Sequence, residues 1–243
     1  MMRSIAILLV VICLAGPGMS ATRFYLPSTG APPVSPVFNA EGFLTFTNTD
    51  RMRLVTTKIA SPKTGKSTGS ISGTNIYIIN RQYVSDPLAA QTINCTVKGA
   101  LLGKKSAASA RRFVLFKRYS NDGLTRISYF QGVYATALDL VNSYTNRGCP
   151  LSTYSTNVTQ TFNYGDRLVI EIGYLKTGTA ACAIYDLYGD DGTVDLPEAN
   201  ETDTDQTKNG WIEFSQDLIF LGSGGKTIII DNMKEDQLCA QLK

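Results

Sequence analysis

The clearest β-hairpin pattern in the sequence is RRFVLFKRYSNDGLTRISYF, residues 111–130. Two runs rich in Val, Leu, Ile, Phe and Tyr flank Asn121, Asp122 and Gly123, residue types that tolerate the positive φ angles of a tight turn. The segment therefore predicts a β-hairpin. Similar short runs, separated by Gly, Asn, Asp and Ser, continue along the chain.

Each of these runs predicts a β-strand, and no amphipathic pattern predicts a helix longer than two turns. We therefore expect an all-β protein, with a single antiparallel, jelly-roll-like β-sandwich over residues 43–243. MKEDQLCAQLK at the C-terminus fits a brief helix, and TALDLVNSY, residues 136–144, fits either a strand or a helix. The predicted strands are 43–47, 53–59, 75–79, 92–102, 112–119, 125–131, 168–174, 182–188, 211–214 and 227–230.

Two segments precede the predicted sandwich. Residues 1–20 have the layout of a secretory signal peptide, and their apolar run is shorter than the roughly 20 residues that span a bilayer. We expect no membrane segment in the mature chain. The alternative is a mistaken start, with translation beginning at Met19. Residues 21–42 include four prolines within 21–36 and predict an extended arm with polyproline II character.

The net charge indicates which classes of partner the chain is suited to bind. The 243 residues carry 23 basic and 20 acidic side chains, which gives a net charge of +3. This near-neutral sum, without a long basic run, argues against nucleic-acid binding.

A stretch at residues 59–68, IASPKTGKST, resembles a phosphate loop at Ala60, Gly65, Lys66 and Ser67. A phosphate loop needs a helix directly after it, because the helix N-terminus holds the phosphate. A Gly- and Ser-rich segment and then a β-rich run follow here instead. We predict a turn and no nucleotide site.

The sequence contains no histidine, which removes the commonest general base and metal ligand. Paired carboxylates could still hydrolyse glycosides, and Glu171 and Glu213 are the candidates. Each alternates with apolar residues, so we expect both on the polar faces of their strands. We predict no catalytic residues, no bound organic cofactor and no enzymatic activity.

Calcium is the one cofactor that the sequence leaves open. The stretch 188–205, YGDDGTVDLPEANETDTD, is strongly acidic, and Asp190, Asp191 and Asp195 are its candidate calcium ligands. Their spacing does not match a helix-loop-helix calcium site. The alternative is a solvated, charged loop.

Cysteines and sequons are candidate modification sites. Cys95, Cys149, Cys182 and Cys239 remain after the leader, and in an exported chain they allow three disulfide pairings. In a cytosolic chain they would be buried thiols. The candidate glycosylation sites are Asn94, Asn157 and Asn200.

Seven blocks carry a resemblance to a known family: ATRFYLPSTGAPPVSP, MRLVTTKIAS, RQYVSDPLAAQTI, TVKG, GDRLVIEIGY, DLPE and WIEFS, in this order from residue 21 to residue 215. In these blocks the chain resembles a family of small structural-like proteins from tailed bacteriophages and environmental viral genomes. The resemblance implies a non-enzymatic tail, neck or head-surface component of the virion. Such a protein would bind other virion proteins or copies of itself, and we expect its N-terminal arm to lie across a neighbouring subunit.

Two features depart from the family. The resemblance begins near Met19, so the leader is additional, and the cysteines are atypical. They leave an alternative function open, a secreted, extracellular β-sandwich module that binds glycans and uses calcium.

Overall fold

The computed structural model describes residues 21–36, 45–134, 139–148, 156–191, 194–198 and 203–222. Regular structure in these ranges consists of β-strands, which confirms the all-β prediction, and no helix there could cross a membrane. The proposed leader, the predicted strand at 227–230 and the candidate C-terminal helix lie outside the described residues. The strands are β1 (Thr22–Tyr25), β2 (Thr45–Arg53), β3 (Ser61–Ile71), β4 (Ile76–Pro87), β5 (Gln91–Lys105), β6 (Ala110–Tyr119), β7 (Arg126–Tyr134), β8 (Thr145–Gly148), β9 (Thr156–Phe162), β10 (Arg167–Lys176), β11 (Cys182–Asp190) and β12 (Trp211–Phe214).

The strands form two sheets that pack as a β-sandwich. The large sheet has the order β1-β12-β5-β11-β3, and β8 and β9 also pair with β5. The small sheet has the order β2-β4-β10-β6-β7. Strands β2 and β4 run parallel, whereas the other pairs among the described strands are antiparallel. The sandwich prediction is confirmed, but this strand order does not confirm jelly-roll connectivity.

The hairpin predicted at residues 111–130 is confirmed as β6 and β7. Its turn contains Gly123 at a φ of 76°, and the backbone N–H of Gly123 donates to the carbonyl oxygen of Ser120. Strand β6 also pairs with β10, which lies at the centre of the small sheet. Inward side chains of both sheets form the main core, among them Val114, Phe116, Ile170, Ile172, Ile93, Val97, Ile212 and Phe214.

The N-terminal arm is extended, but it belongs to the sandwich of its own chain. Strand β1 pairs with β12, and Phe24 and Leu26 are buried in the main core. Val34 packs against a second buried cluster, formed by Val84, Tyr119 and Val169. Residues 22–26 therefore pack within their own chain, and the expectation that the arm also lies across a neighbouring subunit stays a prediction.

The sequence pattern does not predict β1, β3, β8 or β9. The separate strand predicted at 53–59 is wrong, because β2 ends at Arg53 and only an isolated bridge at Val55 follows in that range. Strand β3 contains the stretch that resembles a phosphate loop, so the turn predicted there is wrong. Backbone pairing with β11, which includes Lys66 opposite Asp186, extends this polar segment. The strand continues through Ser67 to Ile71, where a phosphate loop would need a helix.

Candidate functional site

Asp186 of β11 lies at the centre of a charged cluster between the sheets. One of its carboxylate oxygens, Oδ1, pairs with Nη2 of Arg112 from β6. The other, Oδ2, accepts hydrogen bonds from Asn80 Nδ2 at 3.2 Å and from the Tyr188 hydroxyl at 2.8 Å. All four side chains are buried. Both oxygens of this carboxylate are therefore engaged by neighbouring side chains, as in a structural ion pair.

Two backbone features make room for this cluster. In β4, Ile79 pairs with Gly173 and Arg81 pairs with Ile172, so Asn80 is an extra residue in the ladder. A bulge of this kind redirects side chains, and Asn80 and Arg81 both reach the space between the sheets. In β5, a Cβ on Gly103 would lie 2.3 Å from Nη2 of Arg112.

Gly103→Ala should lower the free energy of unfolding by about 1–3 kcal/mol, because overpacking a filled interior displaces side chains and backbone. Urea denaturation followed by circular dichroism measures this change. Gly210→Ala is the matched control, since the nearest atom to its added Cβ lies at 3.3 Å. Equal losses in the two variants would contradict the steric role of Gly103.

The cluster continues toward the rim of the sandwich through Arg81. Its guanidinium lies 4.2 Å from the centre of the Tyr188 ring, and its Nη2 lies 3.3 Å from Asp50 Oδ2. Asp50 also pairs with Lys66 of β3. Burial raises the pKa of the Tyr188 phenol, as it does for Tyr83 and Tyr174. These phenols stay protonated at neutral pH: Tyr188 donates to Asp186 and Tyr83 to the carbonyl oxygen of Pro27, whereas Tyr174 is a packing group.

Glu171 and Glu213 lie on opposite outer faces of the sandwich. Glu213 points away from the core, as predicted, and pairs with Arg23 and Lys98. Glu171 shares the outer face of the small sheet with Leu115, which lies directly opposite it on β6, but the side chain is completely buried. Glu171 faces away from the main core, as predicted, but its face is apolar and covered instead of polar, because strand alternation does not show what covers a face.

This placement excludes the two carboxylates as a glycosidase pair. Stacked sheets lie about 10 Å apart, so groups on their two outer faces are farther apart still. Glycosidases hold their carboxylates about 5–9.5 Å apart.

The candidate calcium ligands contact different partners. Asp190 is buried, and its Oδ2 accepts a hydrogen bond from the backbone N–H of Ile59. Asp195 pairs with Arg23 at 2.9 Å and with Lys58 at 2.8 Å, and Asp191 is exposed. Within the ranges that the structure describes, no three acidic or Cys side chains form a group that could hold a metal. Residues 192–193 lie outside these ranges, so the calcium site stays a prediction.

An ammonium group already binds oxygen atoms beside this acidic segment. Lys63 Nζ donates to the carbonyl oxygens of Gly189 and Lys208, both at 2.9 Å, and to Oδ1 of Asn209. Burial lowers the pKa of Lys63, although the nearby Asp191 and Asp190 act in the opposite direction. The protein therefore supplies its own cation to oxygens of the kind that calcium prefers.

The acidic segment also covers the outer face of the large sheet. Leu196 packs against Trp211, whose Nε1 donates to the Leu196 carbonyl oxygen at 2.7 Å. Arg23 lies over the same indole, 4.1 Å from its centre, and pairs with Asp195. Salt bridges and one buried indole thus hold residues 194–198 on the sheet.

Two of the four candidate disulfide cysteines are described, and both carry free thiols. Cys95 packs against the main core, whereas Cys182 lies in a separate cluster with Ala110 and Tyr174. Cys149 and Cys239 lie outside the described residues, so the disulfide pairing stays a prediction.

Asn94 and Asn157 are exposed on the adjacent strands β5 and β9. Asn94 lies opposite Thr159, whose hydroxyl donates to its Oδ1 at 3.0 Å, and Asn157 lies opposite Thr96. Each candidate asparagine therefore faces the threonine of the other sequon. Asn200 lies outside the described residues, and glycosylation stays a prediction.

A cleft of about 330 Å³ lies beside β1 and the segment after β2. Phe24, Leu54 and Phe220 contribute its apolar side chains, and Arg53 and Asp86, which form an ion pair, also line it. Its lining combines apolar residues, two threonines and one ion pair. Among the residues that the structure describes there, no nucleophile is paired with a base. The complete lining is Phe24, Arg53, Leu54, Val55, Thr56, Thr57, Ile59, Asp86 and Phe220.

No model of a known protein family matches the chain, and no curated protein matches its sequence. Solved structures with a partial likeness include an aminopeptidase from a marine sediment Thaumarchaeota archaeon, with a TM-score of 0.43 over 82% of this chain. They also include an α-amino acid ester hydrolase, with a TM-score of 0.40 over 81%, and infectious bursal disease virus Gx strain, with 0.34 over 82%. Each is 10% identical, and the chain spans 37%, 36% and 38% of their respective lengths. Likenesses at this level assign no activity to the chain.

Proposed function

We propose that this chain is a non-enzymatic structural protein of the virion and that it acts through self-association. The main support for this proposal is an exposed apolar patch at the edge of the small sheet. This β7 patch consists of Ile127 and Tyr129 on β7 and Leu124 in the turn before it, which are 43%, 36% and 67% exposed. The sequence blocks that resemble phage structural proteins support its location in a virion.

A second copy of the chain is the partner that suits the β7 patch. Strand β7 is the last strand in the order of its sheet, and among the described strands it forms a ladder only with β6. It also contacts β9, where the Ser128 hydroxyl donates to Gln160 Oε1 at 2.8 Å. The end strand of a sheet can pair with the same strand of a second copy across a two-fold axis, and apolar side chains beside it can bury one another. A surface of like charges would repel its copy, whereas these three side chains carry no charge.

Sedimentation velocity over a range of concentrations tests this proposal. We expect wild-type protein to self-associate, and Ile127→Lys with Tyr129→Lys to remain monomeric, because lysines on an edge strand oppose pairing. Val194→Lys is the control, since Val194 is 67% exposed outside the patch, and it should associate like wild type. A monomeric wild type at every concentration would contradict the proposal. Mass spectrometry of purified particles tests the virion location.

A further inference from the structure

Three polar side chains form a buried row on the outer face of the small sheet. Nζ of Lys117 lies 2.7 Å from Oε2 of Glu171, and Nε2 of Gln82 donates to Oε1 of the same carboxylate at 2.8 Å. Nε of Arg51 donates to Oε1 of Gln82 at 3.0 Å, which orients the Gln82 amide toward Glu171. Lys117, Glu171 and Gln82 are each 0% exposed. The row crosses the adjacent strands β6, β10 and β4.

Apolar side chains flank this row along the same face. Leu115 is directly opposite Glu171 and clusters with Phe113 and Ile79, while Val169 is directly opposite Lys117 and clusters with Val84 and Tyr119. An ion pair is costly in such surroundings, because both charges have lost their water. Burial raises the pKa of the Glu171 carboxyl, although Lys117, Gln82 and Arg51 act in the opposite direction. The surroundings thus favour the neutral form of the Glu171 carboxyl more than water does.

We propose that Lys117 and Glu171 condense into an amide that joins strands β6 and β10 covalently. This inference is independent of the virion role proposed above. The two reacting groups are held in contact, and fixed proximity replaces the activation that a free amine and acid would need. A buried site also excludes the water that would hydrolyse the product.

The reaction balances without any further reagent. A proton passes from the Lys117 ammonium to Oε2 of Glu171, which leaves a neutral amine beside a carboxylic acid. The Nζ lone pair attacks Cδ, and the negative charge that develops on Oε1 is stabilised by the hydrogen bond from Gln82 Nε2. A second proton passes from Nζ to Oε2, the Cδ–Oε2 bond breaks, and one water leaves. Gln82 is therefore a positioning residue and hydrogen-bond donor.

Intact-mass spectrometry of the purified full chain, with cysteines reduced, tests the proposal. The measured mass of the wild-type protein should be lower, by one water, than the mass calculated from its sequence. A protease digest should contain a branched peptide that joins Lys117 to Glu171. Lys117→Arg is the matched control: it keeps the positive charge beside Glu171, but a guanidinium does not form this amide, so its full mass should be retained.

Gln82→Leu tests the role of the hydrogen-bond donor. This variant should form the link more slowly, as followed by the fraction of lighter protein against time after synthesis. An unchanged wild-type mass and a digest without the branched peptide would overturn the proposal. Loss of one ammonia with a link from Lys117 to Gln82 would overturn it as well, because the acceptor would then be the amide. These wild-type measurements decide the matter even if a variant fails to fold.

Discussion

Asp186→Ala should lower the free energy of unfolding by about 3–5 kcal/mol, the usual cost of removing one partner from a buried ion pair. The variant keeps the Arg112 guanidinium between the sheets and removes the carboxylate that faces it. Its Nη1 still donates to the carbonyl oxygen of Leu101, but a carbonyl carries no compensating charge. Asn80 and Tyr188 lose the acceptor of their hydrogen bonds in the same step. Chemical denaturation at neutral pH measures the loss.

Asp86→Ala is the control for this prediction. Asp86 also pairs with an arginine, at 2.7 Å from Arg53, but the two side chains are 36% and 49% exposed. Solvent screens such pairs, so the expected cost is about 0–1 kcal/mol. Replacing Asp186 and Arg112 together by leucine should recover part of the stability, because no isolated charge remains. If Asp186→Ala lowers the free energy of unfolding no more than Asp86→Ala does, the charged cluster between the sheets does not stabilise the fold.

Phe24→Ala should lower the free energy of unfolding by about 3–5 kcal/mol, as for other large aromatic side chains removed from a core. Phe24 is 0% exposed and makes edge-to-face contacts with Phe214 and Phe220, at centroid distances of 5.8 and 6.0 Å. The deletion leaves a cavity where β1 meets β12. Thermal and urea denaturation of the isolated chain measure the effect.

Tyr164→Ala is the matched control for Phe24, since Tyr164 is aromatic but 67% exposed, and its loss should change stability by about 0.5 kcal/mol or less. The comparison separates two roles for the N-terminal arm. An arm that belongs to its own core makes Phe24→Ala unstable as a single chain. An arm that served a neighbouring subunit would leave the stability of the single chain unchanged.

The sequence predicts the central strands because they alternate or continue as apolar runs around recognisable turns, as in the hairpin of β6 and β7. It does not predict β3, a polar and Gly-containing segment that becomes a strand through its pairing with β11. It also does not predict β1, since four residues followed by prolines carry little periodic signal. These strands depend on partners that are distant in the chain.

The interior cluster leaves only a weak signal in the sequence. The largely apolar run of β4 is interrupted by three consecutive polar residues, Asn80, Arg81 and Gln82. This departure from alternation marks the position of the bulge. Asp186 and Arg112 are indistinguishable in sequence from ordinary solvent-facing residues. The burial of Glu171 is hidden for a related reason, because period-two alternation gives the face of a side chain but not its solvent exposure.

Hydrogen–deuterium exchange at low and high protein concentration tests whether the chain self-associates through the edge of the small sheet. Self-association predicts that backbone amides of Arg126–Tyr134 exchange more slowly in the concentrated sample, while those of the polar edge strand Ser61–Ile71 are unchanged. Concentration-independent exchange along Arg126–Tyr134 would contradict it.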